Sequence, residues 1–178
     1  HAGDTAKAQG ASIPYILFVG TFEPRKNLAC LLEAFATLRS ATDCRHRLVL
    51  AGNHGWKTDI TKLISDWKLE SMVDVRMGTN DPELLDLYQR CDFVVLPSLY
   101  EGFGLPIVEA FACAKPVITS DRSSMPEIAG DAGLTFDAAQ PEQLAEKLQQ
   151  LTQNRDLHQQ LTAAAVRRSA TFSWDKAA

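Results

Sequence analysis

Short apolar runs alternate along the chain with longer segments in which apolar residues recur every three or four positions. The runs are continuously apolar, which is typical of strands buried on both faces of a parallel sheet. Gly, Pro, Asn and Asp near their ends mark turns. The predicted strands are Tyr15–Val19, Arg47–Ala51, Met72–Arg76, Phe93–Pro97, Pro116–Thr119 and Leu134–Phe136.

Helices are predicted between these strands, since the apolar residues there have the i, i+3, i+4 and i+7 spacing of an amphipathic helix. Asp81 is expected to cap one helix, with Pro82 in its first turn. This alternation predicts an α/β fold with a Rossmann-like, doubly wound parallel sheet of about six strands. The predicted helical stripes are Leu28–Leu38, Ile60–Trp67, Leu84–Tyr88, Ile107–Ala114, Leu144–Leu151 and Leu157–Val166.

The segment Glu101-Gly-Phe-Gly-Leu-Pro-Ile-Val-Glu109 follows the fourth predicted strand. Gly102 and Gly104 let backbone N–H groups approach a ligand closely, because no Cβ intervenes. Pro106 is expected in the first turn of the next helix, and Glu109 in that same turn, near the positive end of the helix dipole. Amides and two carboxylates around one crevice suit a ligand covered in hydroxyl groups, such as a sugar or a ribose.

The loop after the first predicted strand contains Gly20 and Thr21 and then Arg25 and Lys26 at a predicted helix start. Two cations at a helix N-terminus oppose the helix dipole, whereas a phosphate bound there would be favoured. Doubly wound sheets bind ligands beyond the carboxyl ends of their strands. We therefore expect this loop and the Glu101 loop to share one crevice.

Each of these residues also has an ordinary interpretation that the sequence leaves open. Arg25 and Lys26 could be solvated surface charges, Glu101 a solvated loop acid and Glu109 a helix residue favoured by the dipole. Phe103, between the two acids, is expected to pack, with its N–H rather than its ring serving a ligand.

Composition and motifs exclude several classes of function. A net charge of -4 gives no support to sequence-independent binding of nucleic acid. The apolar runs are far shorter than the roughly 20 residues that span a bilayer. No Asp-x-Asp motif is present for a metal–diphosphate clamp, and no G-x-S-x-G elbow surrounds a serine. The cysteines lack metal-ligand spacing, so reduced thiols are expected rather than a metal site or disulfides; they are Cys30, Cys44, Cys91 and Cys113.

Four segments together resemble glycosyltransferase family 4, whose members are retaining enzymes of the GT-B fold. The closest likeness is to bacterial mannosyltransferases that build surface polysaccharide such as lipopolysaccharide. The resemblance implies that residues 14–178 are the C-terminal, nucleotide-sugar-binding half of a longer enzyme, without its N-terminal acceptor domain. Residues 1–13 are expected to be a flexible lead-in or an expression remnant, and a capped helix is expected to start at Phe172. The segments are Val19–Leu28, Asp92–Ser98, Glu101–Ala110 and Lys115–Ser120.

The resemblance also implies roles for individual residues. Lys26, assisted by Arg25, contacts the donor diphosphate and stabilises its charge as it departs. Glu101 faces hydroxyls of the transferred sugar, and Glu109 holds the ribose. Thr21 stands where the family commonly has Arg. The implied catalytic residues are Glu101 and Lys26, and the implied donor-binding residues are Gly20, Thr21, Arg25, Lys26, Arg76, Met77, Gly78, Glu101, Gly102, Phe103, Gly104, Leu105 and Glu109, of which Arg76–Gly78 would contact the base.

The function implied is metal-independent transfer of a hexose, with retention, to a glycan or lipid-linked acceptor. The foremost donor is GDP-mannose, with UDP-hexoses as alternatives, and no cofactor is expected. The full-length enzyme is expected in the cytoplasm, where its other half could contact the inner face of the membrane. The present chain alone is expected to bind donor but to have little or no transferase activity. The alternatives are a GT-B phosphorylase or epimerase-like enzyme, or a non-catalytic α/β nucleotide-binding module. The latter, if like a response regulator, predicts an acidic cluster where Arg25 and Lys26 lie.

Overall fold

A parallel sheet of six strands forms the centre of the computed structural model, which describes residues 13–172. The strand order is three, two, one, four, five, six, so the order reverses between the first and fourth strands. This is the doubly wound arrangement that the sequence predicts. The strands are β1 (Tyr15–Val19), β2 (Arg47–Gly52), β3 (Val73–Met77), β4 (Phe93–Leu96), β5 (Val117–Ser120) and β6 (Gly133–Phe136).

Helices cover both faces of the sheet. The short fifth helix was not predicted, because five residues are too few to reveal a helical period. Two 3-10 turns, Pro24–Lys26 and Gly130–Ala132, were also not predicted. The helices are α1 (Leu28–Ala41), α2 (Ile60–Asp66), α3 (Asp81–Arg90), α4 (Leu105–Ala112), α5 (Met125–Ala129), α6 (Pro141–Gln153) and α7 (Arg155–Ser169).

Alternate residues of each inner strand point to opposite faces, so the core has two layers. In β1, Ile16 and Phe18 pack in the layer that contains apolar residues of α1, α2 and α6. Leu17, between them, packs in the layer formed with α3, α4, α5 and α7. All three side chains are almost completely buried. This explains why the strands are continuously apolar in sequence.

Several predicted helix ends were wrong. Asn80, not Asp81, caps α3: its side-chain oxygen accepts from the Glu83 N–H at 3.0 Å, while the Glu83 carboxylate accepts from the Asn80 N–H at 3.1 Å. This reciprocal pair is a capping box. Trp67 follows the end of α2 and is 39% exposed, so it does not extend the apolar stripe. Ala114 lies beyond α4 with a φ of 57°.

The expected lead-in, apart from Ile13, and the helix expected after Phe172 lie outside the described residues. Within residues 13–172, no helix combines the length and apolar character needed to cross a membrane.

Candidate active site

The loops after β1 and β4 meet because these strands are neighbours and their carboxyl ends lie at the same edge of the sheet. Leu99 donates its backbone N–H to the Arg25 carbonyl at 2.7 Å. The Asn27 side-chain amide donates to the carbonyls of Pro97, at 3.1 Å, and Ala138, at 3.0 Å. Asn27 adopts a left-handed backbone conformation that Asn tolerates better than most residues. Three loops are thereby held together at the point where the strand order reverses.

A buried ion pair lies at this meeting point. The Lys26 Nζ is 2.5 Å from Glu101 Oε1, and the two side chains are 7% and 9% exposed. The Arg25 guanidinium, which is half exposed, is 3.2 Å from Glu101 Oε2 and 2.6 Å from a carboxylate oxygen of Glu23. Ser98 donates its hydroxyl to Glu101 Oε1 at 2.7 Å. The structure therefore brings Arg25, Lys26 and Glu101 together.

The pKa of Glu101 reflects a balance of opposing effects. Burial alone would raise this pKa, but the hydrogen bonds from Lys26 and Ser98, together with the charges of Lys26 and Arg25, outweigh burial and lower it. Glu101 is consequently an anion near neutral pH.

The ordinary interpretations of Lys26 and Glu101 as solvated charges are wrong, since both side chains are buried and paired. The prediction that Arg25 and Lys26 stand at a helix N-terminus is also wrong. They belong to a 3-10 turn, and α1 begins afterwards at Leu28, with Asn27 as its cap. A buried charge is tolerated only when it is paired, and here the partner is distant in sequence. Sequence patterns carry no signal for such a pair.

Serines at the end of β5 and in the loop after it fix the Glu101 loop in place. Ser123 donates its hydroxyl to the Glu101 carbonyl at 2.5 Å, and Ser124 donates to the Gly102 carbonyl at 3.0 Å. Ser120 donates to the Ser98 carbonyl at 2.5 Å. These serines, which the sequence only excluded as nucleophiles, support the backbone on either side of the carboxylate.

Backbone N–H groups are available beside Glu101. Inside residues 13–172, those of Gly102, Phe103 and Gly104 make no hydrogen bond. Gly104 has a φ of 72°, a conformation that favours glycine, and it precedes the first turn of α4. Amides in such a position can receive an anion or a sugar oxygen.

Gly20 allows the Lys26 side chain to lie close to the β1 loop. A Cβ at this position would be 3.2 Å from the Lys26 Cε and 3.3 Å from its Nζ. The backbone there, with a φ of 153°, also disfavours other residues. Thr21, next to it, is exposed at the rim of the site.

Glu109 lies in the second turn of α4, because the helix begins at Leu105. Its predicted placement in the first turn is therefore wrong, and the dipole contributes little that far into a helix. Its orientation comes from Tyr88, whose hydroxyl donates to Glu109 Oε2 at 2.6 Å. Burial raises the pKa of Tyr88, and the neighbouring Glu109 carboxylate raises it further. The Tyr88 hydroxyl therefore remains protonated and acts as a hydrogen-bond donor. The sequence identified Tyr88 only as part of an apolar stripe.

Glu109 and Tyr88 line a cavity of about 250 Å³ between α3 and α4. Leu84 and Leu85 supply apolar walls to the same cavity. The exposed carboxylate thus stands beside a small, largely apolar recess, a combination that can hold the hydroxyls of a ribose.

Arg76, Met77 and Gly78 lie at the carboxyl end of β3, two strands away from β1 on the same edge of the sheet. All three are exposed. The link to the β1 loop is Asn53, to which no sequence pattern pointed. Its side chain accepts from the Gly78 N–H at 3.1 Å, and its carbonyl accepts from the Phe22 N–H at 2.9 Å. These residues share the edge with the ion pair without touching it.

The expectation that Phe103 packs is wrong in the main, since the residue is 53% exposed and meets Phe172 only edge-on, with ring centroids 6.4 Å apart. Leu99, Tyr100 and Leu105 are also exposed around the same loop. The site is therefore bordered by apolar side chains that face solvent.

All four cysteines, Cys30, Cys44, Cys91 and Cys113, have free thiols. Among the described residues, no three His, Cys, Asp or Glu side chains converge as metal ligands would.

Comparison with known proteins gives consistent matches. The model of the family described as Glycosyl transferases group 1 matches residues 6–168. The O-antigen chain mannosyltransferase B of Escherichia coli is 37% identical over 162 residues, covering 90% of this chain and 42% of that protein. The chain thus spans less than half the length of this relative.

Solved structures have the same architecture. A sucrose-phosphate synthase from Thermosynechococcus elongatus superposes with a TM-score of 0.80 at 27% identity, over 94% of this chain and 43% of that one. The C-terminal domain of a glycosyl transferase group 1 family protein from Francisella tularensis superposes with a TM-score of 0.76 at 24% identity, over 89% of this chain and 87% of that one. The second likeness concerns the fold alone.

Proposed function

Because the chain belongs to the glycosyl transferases group 1 family, we propose that it is the donor-binding half of a retaining glycosyltransferase. It would hold a nucleotide-sugar while a hexose moves to a glycan or lipid-linked acceptor bound by the other half of the enzyme. The single observation that carries this proposal is the buried Lys26–Glu101 pair at the point where the strand order reverses.

The pair can serve both ends of a sugar diphosphate. An ammonium group has three N–H donors, and Lys26 uses one for Glu101. It can therefore hold Glu101 and a phosphate oxygen at the same time. Arg25 can add a second donor from the half-exposed rim. Lys26 would then stabilise the charge that develops as the diphosphate departs, where fixed charges in a buried site are most effective.

Glu101 would orient the sugar rather than transfer a proton, because its lowered pKa keeps it from acting as an acid and makes it a weak base. A buried carboxylate accepts hydrogen bonds from sugar hydroxyls, and the free amides of residues 102–104 donate to the sugar or its phosphate. The serines that hold this loop would limit its movement during transfer.

Glu109 would accept hydrogen bonds from the ribose hydroxyls. Tyr88 occupies its Oε2, which leaves Oε1 for a ligand. The backbone of Arg76–Gly78 would contact the base at the same edge of the sheet.

Mannose is the sugar we propose for transfer, because the Escherichia coli relative is named a mannosyltransferase of the O-antigen chain. GDP-mannose is the donor we propose to supply it. The fold is compatible with other donors, as the likeness to a sucrose-phosphate synthase indicates. We therefore infer the sugar from the relative, and the diphosphate and ribose contacts from the site. Metal independence is part of this proposal and is tested with a chelator below.

The acceptor half would cover the exposed apolar residues beside the Glu101 loop, such as Tyr100 and Phe103. Apolar groups clustered at the rim of a site commonly mark an interface. The chain alone would bind donor and turn over poorly. The complete enzyme would work in the cytoplasm, and any membrane contact would come from its other half.

The test is a thermal-shift panel on the 178-residue chain. GDP and GDP-mannose are compared with UDP, UDP-glucose and inorganic phosphate, each with and without EDTA. The proposal predicts stabilisation by GDP and GDP-mannose that EDTA leaves unchanged. Stabilisation by inorganic phosphate without any nucleotide preference would favour a phosphorylase, and no response to any nucleotide would contradict donor binding.

A further inference from the structure

A second polar cluster lies at the opposite edge of the sheet, where β2 and β4 begin. The Cys44 Sγ is 3.5 Å from the His46 Nδ1. The other ring nitrogen of His46 is 2.8 Å from Asp92 Oδ2, and His158 of α7 contacts Asp92 Oδ1 at 3.0 Å. A thiol, an imidazole and a carboxylate thus stand in line, which is the arrangement that activates a nucleophilic cysteine.

His46 is held in this line by its surroundings. Its side chain is 11% exposed, and its ring packs against Phe93 with centroids 6.3 Å apart. Burial lowers the pKa of His46, but the hydrogen bonds and charges of Asp92 and Cys44 outweigh burial and raise it to about 9. His46 is therefore a cation near neutral pH, with its Nδ1 directed to sulfur.

Among the other charges around the thiol, Arg39 favours its thiolate form. Arg39 approaches from α1, and its Nε is buried with no hydrogen-bond partner among the described residues. Asp43 and Arg45 flank Cys44 in the loop and face the adjacent cavity. Burial alone would raise the pKa of Cys44. The hydrogen bonds from the side chain and backbone of His46, together with the charges of His46 and Arg39, outweigh burial and lower this pKa.

The thiol is also accessible. Cys44 is half-buried and lines an open cavity of about 480 Å³. Polar residues of α6, including Gln149 and Gln153, also line this cavity. A small molecule can enter this cavity without displacing core side chains.

We propose that Cys44 is a reactive thiol and a site of covalent modification by small disulfides and soft electrophiles that enter this cavity. In the disulfide case, the Cys44 thiolate attacks one sulfur of the reagent, and the S–S bond of the reagent breaks. A new disulfide joins Cys44 to half of the reagent, and the departing thiolate takes a proton from water. The small disulfide is the oxidant, and His46 keeps its proton and its bond to Asp92.

This site is independent of the proposed donor site. The two lie at opposite ends of the strands, and the six residues of β2 span about 20 Å at the usual rise of a strand. Modification of Cys44 should therefore leave nucleotide binding unchanged, and the failure of either proposal leaves the other intact.

Cys113 provides the internal control. It is half-buried, as Cys44 is, and it also lines a cavity, but burial raises its pKa and the nearby Glu109 adds to this effect. The remaining thiols, Cys30 and Cys91, are buried, and burial raises their pKa to about 11 and about 12.

The experiment measures alkylation of the folded chain by limiting iodoacetamide at pH 7, with each cysteine quantified by peptide mass spectrometry. Cys44 is expected to react at least ~10-fold faster than Cys113, since reactivity follows the thiolate fraction. The pH profile of the Cys44 rate is expected to have its midpoint below the ordinary thiol value of about 8.5. In denaturant the four thiols should react alike.

The variant His46→Gln should slow Cys44 alkylation by ~10-fold or more and move its midpoint upward, with Cys113 unaffected. If Cys113 reacts as fast as Cys44, or if folded His46→Gln leaves the Cys44 rate unchanged, the proposal is overturned. Should His46→Gln fail to fold, the pH profile of the unaltered chain decides: a midpoint at or above the ordinary value contradicts the proposal.

Discussion

At the scale of single residues, the site depends on buried charges whose partners come from distant parts of the chain. Lys26 and Glu101 neutralise each other, and Ser98 supplies a further hydrogen bond. Removing one partner of a buried pair leaves an uncompensated charge, which typically costs about 3–5 kcal/mol. Substitutions here must therefore keep hydrogen-bonding capacity if binding is to be separated from folding.

The two acids are predicted to divide the donor between them. Glu109→Gln should weaken the binding of GDP and of GDP-mannose by the same amount, roughly 1–2 kcal/mol, because both ligands contain the ribose. Glu101→Gln should weaken GDP-mannose and spare GDP, because only the sugar reaches Glu101. Calorimetry with both ligands measures the two effects. Loss of GDP binding in Glu101→Gln with none in Glu109→Gln would reverse the assigned roles.

Ser123 is predicted to act as a positioning residue through the Glu101 loop. Ser123→Ala removes the hydroxyl that donates to the Glu101 carbonyl. This change should weaken the binding of GDP-mannose severalfold more than the binding of GDP. The loss of stability should be about 1 kcal/mol, as for one hydrogen bond. Ser169→Ala, which removes an exposed hydroxyl bonded within its own helix end, is the matched control. Equal losses for both nucleotides, or none, would deny Ser123 this role.

At the scale of elements, sequence patterns located all six strands to within about a residue at each end. The inner strands gave the clearest signal, because strands buried on both faces are almost continuously apolar. The short helix α5 was missed because it shows no period. Pro106 lies in the first turn of α4 as predicted, but the helix already begins at Leu105, so Glu109 is its fifth residue and falls just beyond that turn. The candidate site residues were recognised from motifs, whereas Asn53, Tyr88 and the supporting serines depend on contacts between distant elements.

The polar cluster of Cys44, His46, Asp92 and His158 should make the stability of the fold depend on pH. The pKa of His46 is raised from 6.5 to about 9, and that of His158 is also raised, its bond to Asp92 outweighing burial. Protonation of these two histidines therefore stabilises the fold. The stabilisation is complete below pH 6.5, and it is lost as the pH rises through the pKa values that the histidines have in the folded protein. Burial would raise the pKa of Asp92, but the hydrogen bonds and charges of the two histidines lower it below 3.8. The contribution of ionised Asp92 to stability is therefore lost only at acidic pH.

We predict a decrease in the free energy of unfolding of about 1–2 kcal/mol between pH 6 and pH 9. Denaturant unfolding should be measured in Cys44→Ser, because a lowered thiol pKa acts in the opposite direction. The same measurement in Cys44→Ser with Asp92→Asn should show a much weaker decrease. Identical pH profiles would mean that the cluster does not couple protonation to folding.

At the scale of the whole molecule, the parallel sheet places two polar clusters at its two ends. The carboxyl ends carry Lys26 and Glu101, where a doubly wound fold binds its ligands. The amino ends carry Cys44 and His46, remote from that site. The family match extends across both, and the proposed nucleotide-sugar function concerns the first alone.

Calorimetric titration of GDP-mannose into the chain and its Lys26→Gln variant tests whether the buried Lys26 binds the donor. Lys57→Gln is the matched control, since Lys57 is an exposed loop lysine that lies over Trp56. Each variant is first shown to be folded by its melting temperature. Lys26→Gln is expected to weaken GDP-mannose binding at least ~10-fold, the scale of a charge-assisted hydrogen bond, while Lys57→Gln should bind GDP-mannose normally. Equal affinities in all three proteins, or no binding to the unaltered chain, would contradict it.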